Sequence, residues 1–275
     1  MAAVKNKPSK INPVRIRRFQ TTIWDSYARR KRALPWRLPP FDAYKVLVSE
    51  IMLQQTQVAR VVPKYKEFLR LFPSVEVLAT ASLADVLRAW SGLGYNRRAK
   101  YLHEAAKQLQ DKRVWTLEDL IACKGIGPNT APAILVYAYN QAIPFVETNT
   151  RTVYIHHFFA ERTDVDDKEL LNLVAQTLDR KNPREFMWAI MDEGTYLKAT
   201  DGNANWRSKH YARQSPFDGS RRQIRGTVLK VLAQRSERPI HLRQLIPDER
   251  LPLVLEELHA EGLISKTHGR YLLTT

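Results

Sequence analysis

The sequence predicts a mostly α-helical protein ending in a small module of different character. Three observations carry that reading. Apolar residues recur at spacings of three and four from about residue 18 to residue 197. No stretch in that region alternates with the period of two expected of a half-buried strand. After Gly262, two short apolar stretches flank His268-Gly269, the pattern of a hairpin.

Composition bounds the partners. A chain of 275 residues that is 44% hydrophobic can bury one large core or two modest ones. Lys and Arg number 44 against 28 Asp and Glu, a net charge of +16 with a sequence pI near 10.0. That balance suits a polyanion, nucleic acid first, although basic residues also serve solubility. No apolar run approaches the roughly 20 residues that span a bilayer. The N-terminus lacks the apolar core of a secretory signal, so a cytoplasmic, nucleoid-associated protein is expected, and a monomer is the expected state. Cys123 is the single cysteine, which leaves no intrachain disulfide and no Cys-ligated metal site. His156-His157 diverge by about 100° on a helix, and no other histidine spacing suggests a metal.

The chain divides into four parts. Residues 1–15 form a basic, flexible tail with Lys5, Lys7, Lys10 and Arg15 among Pro and Ser. Residues 16–200 form the helical body, punctuated at Pro35-Trp36, Phe72-Pro73, Gly92 to Gly94, Gly125 to Gly127 and Asn182-Pro183. The apolar pattern then fails between residues 201 and 225, and 201–220 reads as a linker. Within residues 221–275, helices are expected over 222–233, near 242–246 and over 250–261, before the hairpin. Three helices and a hairpin resemble a winged helix, a module that binds DNA or protein.

Three segments carry chemistry. Residues 44–58 have no Gly or Pro, and Val46, Leu47, Glu50, Leu53, Gln54 and Gln57 fall on one helical face. A Glu on an apolar face is costly to ionise and would hold its proton toward neutral pH; pairing with a buried Arg is the alternative. Next, a helix over 117–123 meets Lys124-Gly125-Ile126-Gly127-Pro128-Asn129-Thr130, with Pro128 at a favoured first helical position. Such a hairpin can hold a phosphate on the free N–H groups of the following helix, or simply join two helices. Third, Glu147 begins a helical run over 150–159, whose positive end favours an ionised carboxylate. A stabilising cap is the plainer explanation. One protonated and one ionised carboxyl divide labour as in glycoside cleavage, and a backbone grip between them suits a flipped nucleotide.

Five motifs in fixed order then identify a family. Leu34-Pro35-Trp36-Arg37, the segment around Glu50, Trp90-Ser91-Gly92-Leu93-Gly94-Tyr95, the Gly125 hairpin and Met191-Asp192-Glu193-Gly194 resemble the MutY-type adenine DNA glycosylases. These belong with endonuclease III to the helix-hairpin-helix glycosylase superfamily. The resemblance covers roughly residues 18–197, and Leu53-Gln54-Gln55-Thr56-Gln57 looks more like the adenine branch than its relatives. It implies a helix-hairpin-helix DNA glycosylase fold and excision of adenine mispaired with 8-oxoguanine or guanine in double-stranded DNA.

The resemblance also implies roles. Glu50 matches the general acid that protonates adenine at N7, with Glu147 and Asn149 completing the catalytic set. Gln54, Gln55, Tyr95 and Asn96 match residues that enter the distorted duplex. Lys124, Gly125, Gly127, Asn129 and Thr130 match the phosphate grip, where a monovalent cation would be compatible. Trp36 and Arg37 match the base pocket. Asn129 falls where endonuclease III-type enzymes carry a Schiff-base lysine, which implies base removal without efficient β-elimination.

Four departures accompany the match. Glu147 stands in place of the family's catalytic Asp, and Asn96 in place of a second tyrosine. The four cluster cysteines are missing, with Lys198 where the first would lie, so a clusterless form is implied. Residues 221–275 replace a larger domain similar to Nudix hydrolases. Thymine or uracil excision from G mispairs, and non-catalytic lesion binding, are the alternatives.

Overall fold

The computed structural model describes residues 10–159, 161–214 and 216–275. Residues 1–9 of the expected tail lie outside the described residues, and the rest of it is shorter than expected. Asn12 caps helix α1 (Pro13–Arg30) by accepting from the Val14 N–H at 2.9 Å. The chain continues through α2 (Ala43–Leu53), α3 (Val58–Leu71), α4 (Val75–Thr80), α5 (Leu83–Trp90), α6 (Arg97–Leu109) and α7 (Leu117–Ala122). Then come α8 (Thr130–Tyr139), α9 (Thr148–Phe158), α10 (Asp167–Thr177) and α11 (Pro183–Thr200). Residues beyond 220 form α12 (Arg221–Gln234), α13 (Pro239–Leu245), α14 (Leu251–Ala260) and the strands β1 (Ile264–Thr267) and β2 (Arg270–Leu273). No described helix is long and apolar enough to cross a membrane.

Contacts divide the chain into two compact units, each discontinuous in sequence. One comprises Met1–Leu34 with Pro128–Arg213, the other Pro35–Gly127 with Gln214–Thr275. The first is built on α11, which packs against α9 and α1. Phe19 of α1 meets the rings of Tyr154, Phe158 and Phe186 at centroid distances of 5.1, 5.0 and 6.5 Å. Two polar pairs lie within this core. Tyr154 Oη and Thr177 Oγ1 are 2.6 Å apart, and Ser26 donates to the buried Glu193 carboxylate. Arg184 closes the end of α8 by donating to the carbonyls of Tyr137 and Ala138 at 2.7 and 2.8 Å.

Residues 201–220 contain more order than their composition suggests. A 3₁₀ turn, Ala204–Arg207, leads into a parallel bridge between Val165 and Ser208. Buried Asn205 donates to Thr152 Oγ1 at 2.8 Å, and Arg207 to the Phe159 carbonyl at 2.9 Å. Polar bonds rather than apolar burial hold this stretch, which is why its hydrophobic pattern is silent.

The second unit packs α6 against α4 and α5, with α3 and α12 also against α5. Trp90 is fully buried, edge-on to Phe68 at 6.0 Å. Residues 221–273 hold three helices and a hairpin in the expected order. The register pairs Ile264 with Leu273 and Thr267 with Arg270. This segment is tied to the rest of its unit. Arg88 donates to the Ala233 carbonyl at 3.2 Å, and Lys100 to the Glu261 carbonyl at 2.7 Å.

Candidate active site

In the second unit, α2 carries Glu50. Asp42 caps that helix by accepting from the Lys45 N–H at 2.9 Å. The helix ends at Leu53 rather than continuing to residue 58, because Gln55 takes a left-handed backbone with φ 55°. Gln54 and Gln57 therefore leave the face they were expected to share with half-buried Glu50, and Gln54 and Gln55 sit on a turn instead.

Arg98 explains how that turn is held. Its Nη1 donates to the carbonyls of Ile51, Met52 and Gln54 at 2.8, 3.0 and 2.5 Å. Its Nη2 donates to Thr56 Oγ1 at 2.9 Å and the Gly94 carbonyl at 3.1 Å. The guanidinium lies 5.4 Å from the Trp90 ring and 5.3 Å from the Tyr95 ring. Burial lowers its pKa to about 10, so it stays charged at neutral pH. One planar fork thus satisfies the carbonyls that the end of α2 leaves open and clamps them to the turn before α6. Sequence reasoning missed Arg98, since nothing local distinguishes it from exposed Arg97.

The second loop turns at Gly92 and Gly94, both at positive φ, with Tyr95 following at φ 47°. Half-buried Asn96 forms the N-cap of α6. Tyr95 Oη accepts from Arg222 Nη1 at 2.7 Å, and Gln55 Oε1 accepts from Gln214 Nε2 at 3.5 Å. The C-terminal segment therefore touches both loops expected to face DNA, another link that local pattern does not reveal. Gln54 Nε2 donates to the Gly125 carbonyl at 3.3 Å, joining the α2 turn to the hairpin.

At the hairpin, α7 starts with a reciprocal Thr116–Asp119 capping box. Gly125 has φ 86°, and a Cβ there would meet the Tyr101 side chain at 2.6 Å, so only glycine fits. Gly127 has open space before it, and Lys124 extends 5.2 Å from the Tyr101 ring. Helix α8 begins at Thr130, two residues later than Pro128 suggested, with exposed Asn129 as its N-cap. Trp36 and Arg37 are buried in a 3₁₀ turn, Trp36 edge-on to Tyr65 at 5.4 Å.

In the first unit, Glu147 is the N-cap of α9, which starts two residues earlier than expected. Its carbonyl accepts from the Arg151 N–H at 2.8 Å, and its side chain makes no capping bond. Asn149, in the first turn, accepts at Oδ1 from Lys198 Nζ at 2.7 Å. Burial pulls the Lys198 ammonium below its usual range; Glu147 opposes that shift and Arg151 adds to it.

The residues present do not fit an iron–sulfur cluster. Cys123 is buried in the other unit, its Sγ 3.4 Å from Gln108 Oε1 and 3.3 Å from the Asp119 carbonyl. Among the described residues, no group of three or more His, Cys, Asp or Glu is placed to hold a metal ion.

Comparison with known proteins shows the family of this chain. A family model described as "HhH-GPD superfamily base excision DNA repair protein" matches residues 48–177, which include Glu50, the hairpin and Glu147. The adenine DNA glycosylase of Mycobacterium tuberculosis (strain CDC 1551 / Oshkosh) is 33% identical over 302 residues, covering 99% of this chain and 98% of that one. That of Mycolicibacterium smegmatis is 34% identical over 278 residues, covering 91% and 93%. Among solved structures, a thermostable thymine-DNA glycosylase superimposes with a TM-score of 0.61 at 22% identity, covering 70% of this chain and 91% of that one, a likeness of fold. The Mycobacterium tuberculosis alignment runs nearly end to end, C-terminal segment included. The chain belongs to the adenine DNA glycosylases, within the helix-hairpin-helix superfamily of base excision repair proteins.

Proposed function

We propose that this glycosylase removes adenine mispaired with 8-oxoguanine or guanine in duplex DNA, by hydrolysis of the N-glycosidic bond. One observation carries the reading. Glu50 lies on the last turn of α2, and Arg98 clamps the end of that helix to the loops bearing Gln54, Gln55 and Tyr95. An acid is thereby fixed to the residues that would grip a distorted duplex.

In this mechanism Glu50 donates its proton to adenine N7, and the glycosidic electron pair leaves with the base. The Glu147 carboxylate stabilises the positive charge developing on the sugar and takes a proton from the attacking water. Water oxygen bonds to C1′, leaving an abasic site. The Gly125–Gly127 backbone, Lys124 and the start of α8 hold phosphate. Asn129 has no amine with which to form a Schiff base, so strand cleavage is left to other enzymes. The protein acts as a monomer at the nucleoid.

The test incubates purified protein with labelled duplexes carrying A:8-oxoguanine, A:G, T:G or U:G, scored with and without alkali. Cleavage at adenine that requires alkali is the expected result. Glu50→Gln abolishes it while duplex binding persists. Cleavage at T or U alone, or full activity in Glu50→Gln, refutes the assignment.

A further inference from the structure

One stripe of α11 grips the start of α9. Met191, Gly194 and Lys198 follow at spacings of three and four, which puts them on a single helical face. Gly194 has no room for a side chain: a Cβ there would stand 2.7 Å from Asn149 Cβ, 2.7 Å from its carbonyl oxygen and 2.9 Å from its Cα. The backbone of Asn149 therefore rests directly on α11. Its side chain is held at both ends, Oδ1 by Lys198 Nζ at 2.7 Å and Nδ2 by Met191 Sδ at 3.8 Å. An ammonium carries donors only, so Lys198 requires the amide oxygen on its side and turns the NH₂ the other way.

Charge adds a second link. Lys198 is half-buried and interacts with the Glu147 carboxylate two residues before Asn149. Arg151, on α9 itself, is a second cation acting on Lys198. Its guanidinium is committed to Asp167 of α10 by two bonds, at 2.7 and 2.6 Å. A glutamate carries one more rotatable bond than an aspartate, so a nearby cation narrows where its carboxylate rests.

We propose that Lys198 is a positioning residue of the active centre, fixing the orientation of the Asn149 amide and standing as counter-charge to the Glu147 carboxylate. This rests on the reading of Glu147 and Asn149 as catalytic. Lys198 forms no bond to the nucleotide in this role.

The experiment compares full-length wild-type protein with Lys198→Met and Lys198→Arg. Single-turnover excision of adenine opposite 8-oxoguanine is followed from pH 5 to 9. Lys198→Met slows excision by about 10- to 100-fold with duplex affinity unchanged, and Lys198→Arg recovers most of the rate. A cation lowers the pKa of a neighbouring carboxyl, so its loss moves the acid limb of the pH–rate profile upward. A second readout is independent of turnover. The Glu147 carboxyl carbon, followed by ¹³C NMR in Glu-labelled protein and assigned with Glu147→Gln, titrates at higher pH in Lys198→Met. An unmoved titration overturns the proposal, as does an Arg variant no faster than the Met variant. A borohydride-trapped DNA cross-link that disappears in Lys198→Met would make Lys198 a nucleophile and overturn it as well. Wild-type protein that excises no adenine would instead defeat the proposed function, while the NMR titration still decides the role of Lys198.

Discussion

Substituting Gly194 by alanine separates a demand for precise placement from a demand for stability. The added Cβ meets three atoms of Asn149 at 2.7 to 2.9 Å, two of them backbone, so no side-chain rotation relieves the clash. Reaching ordinary contact near 3.4 Å moves the first turn of α9 by about 0.7 Å. Overpacking of this kind costs roughly 1–3 kcal/mol, while alanine in place of glycine within a helix returns about 1 kcal/mol. The net loss of about 0–2 kcal/mol lowers the melting temperature by no more than about 5 °C. In the proposed mechanism, the same displacement carries Asn149, and Glu147 two residues before it, away from their working positions. A shift approaching 1 Å costs on the order of 100-fold in rate, so excision should fall about 30- to 100-fold. Single-turnover excision, thermal melting and duplex affinity are measured on the same preparation. A rate within threefold of wild type would refute the argument that α11 sets the geometry of α9. So would a melting temperature lowered by more than about 10 °C, because the rate loss would then report unfolding.

Other consequences are measurable separately. Arg98→Met leaves the carbonyls of Ile51, Met52 and Gln54 without their shared donor, and should cost about 2–4 kcal/mol in denaturant unfolding. Arg98→Lys should recover little of it, since one ammonium cannot span the fork; full recovery would show that charge alone matters. Burial, reinforced by His156, lowers the pKa of His157 to about 4 from an ordinary 6.5. The folded state therefore binds fewer protons than the unfolded chain, and stability on the order of 2 kcal/mol is lost as pH falls from about 6.5 to 4. His157→Phe keeps a ring against Phe19 and should flatten that window in acid titrations of stability; an unchanged slope would assign it to other groups. Duplex affinity should fall steeply with salt for this +16 chain. Lys124→Ala should reduce the log–log slope by about 0.9, and an unaltered slope would remove Lys124 from the phosphate grip.

What the sequence disclosed and what it hid differ by the range of the forces involved. Glu147 at the start of a helix was legible because caps are local, and the structure moves that start by two residues. Gly125 was legible as a turn, although the Tyr101 ring that excludes any side chain there lies elsewhere in the chain. The end of α2 was misjudged because its periodicity runs on unbroken; Arg98, some forty residues later, takes the carbonyls where the helix stops. Residues 201–208 read as linker because the bonds of Asn205 and Arg207 leave no hydrophobic trace. The two compact units were equally hidden, since each is assembled from distant stretches.

Met191-Asp192-Glu193-Gly194 shows why recognising a motif falls short of explaining it. Its four residues divide between two tasks. Asp192 accepts from the Arg32 backbone N–H at 3.1 Å and from Arg32 Nε at 2.5 Å, while Glu193 accepts from Ser26, so both acids anchor α11 to the α1 region. Met191 and Gly194 face α9 and seat Asn149. A helix that is anchored on one side and bare at Gly194 on the other transmits position, because its backbone is stiff and the Gly194 contact with Asn149 has no side chain to yield. Lys198, one turn further along that side, extends that contact from shape to charge. The longer carboxylate at 147 thus meets a seat defined by both, and the consequence of its extra methylene depends on α11 as much as on residue 147 itself.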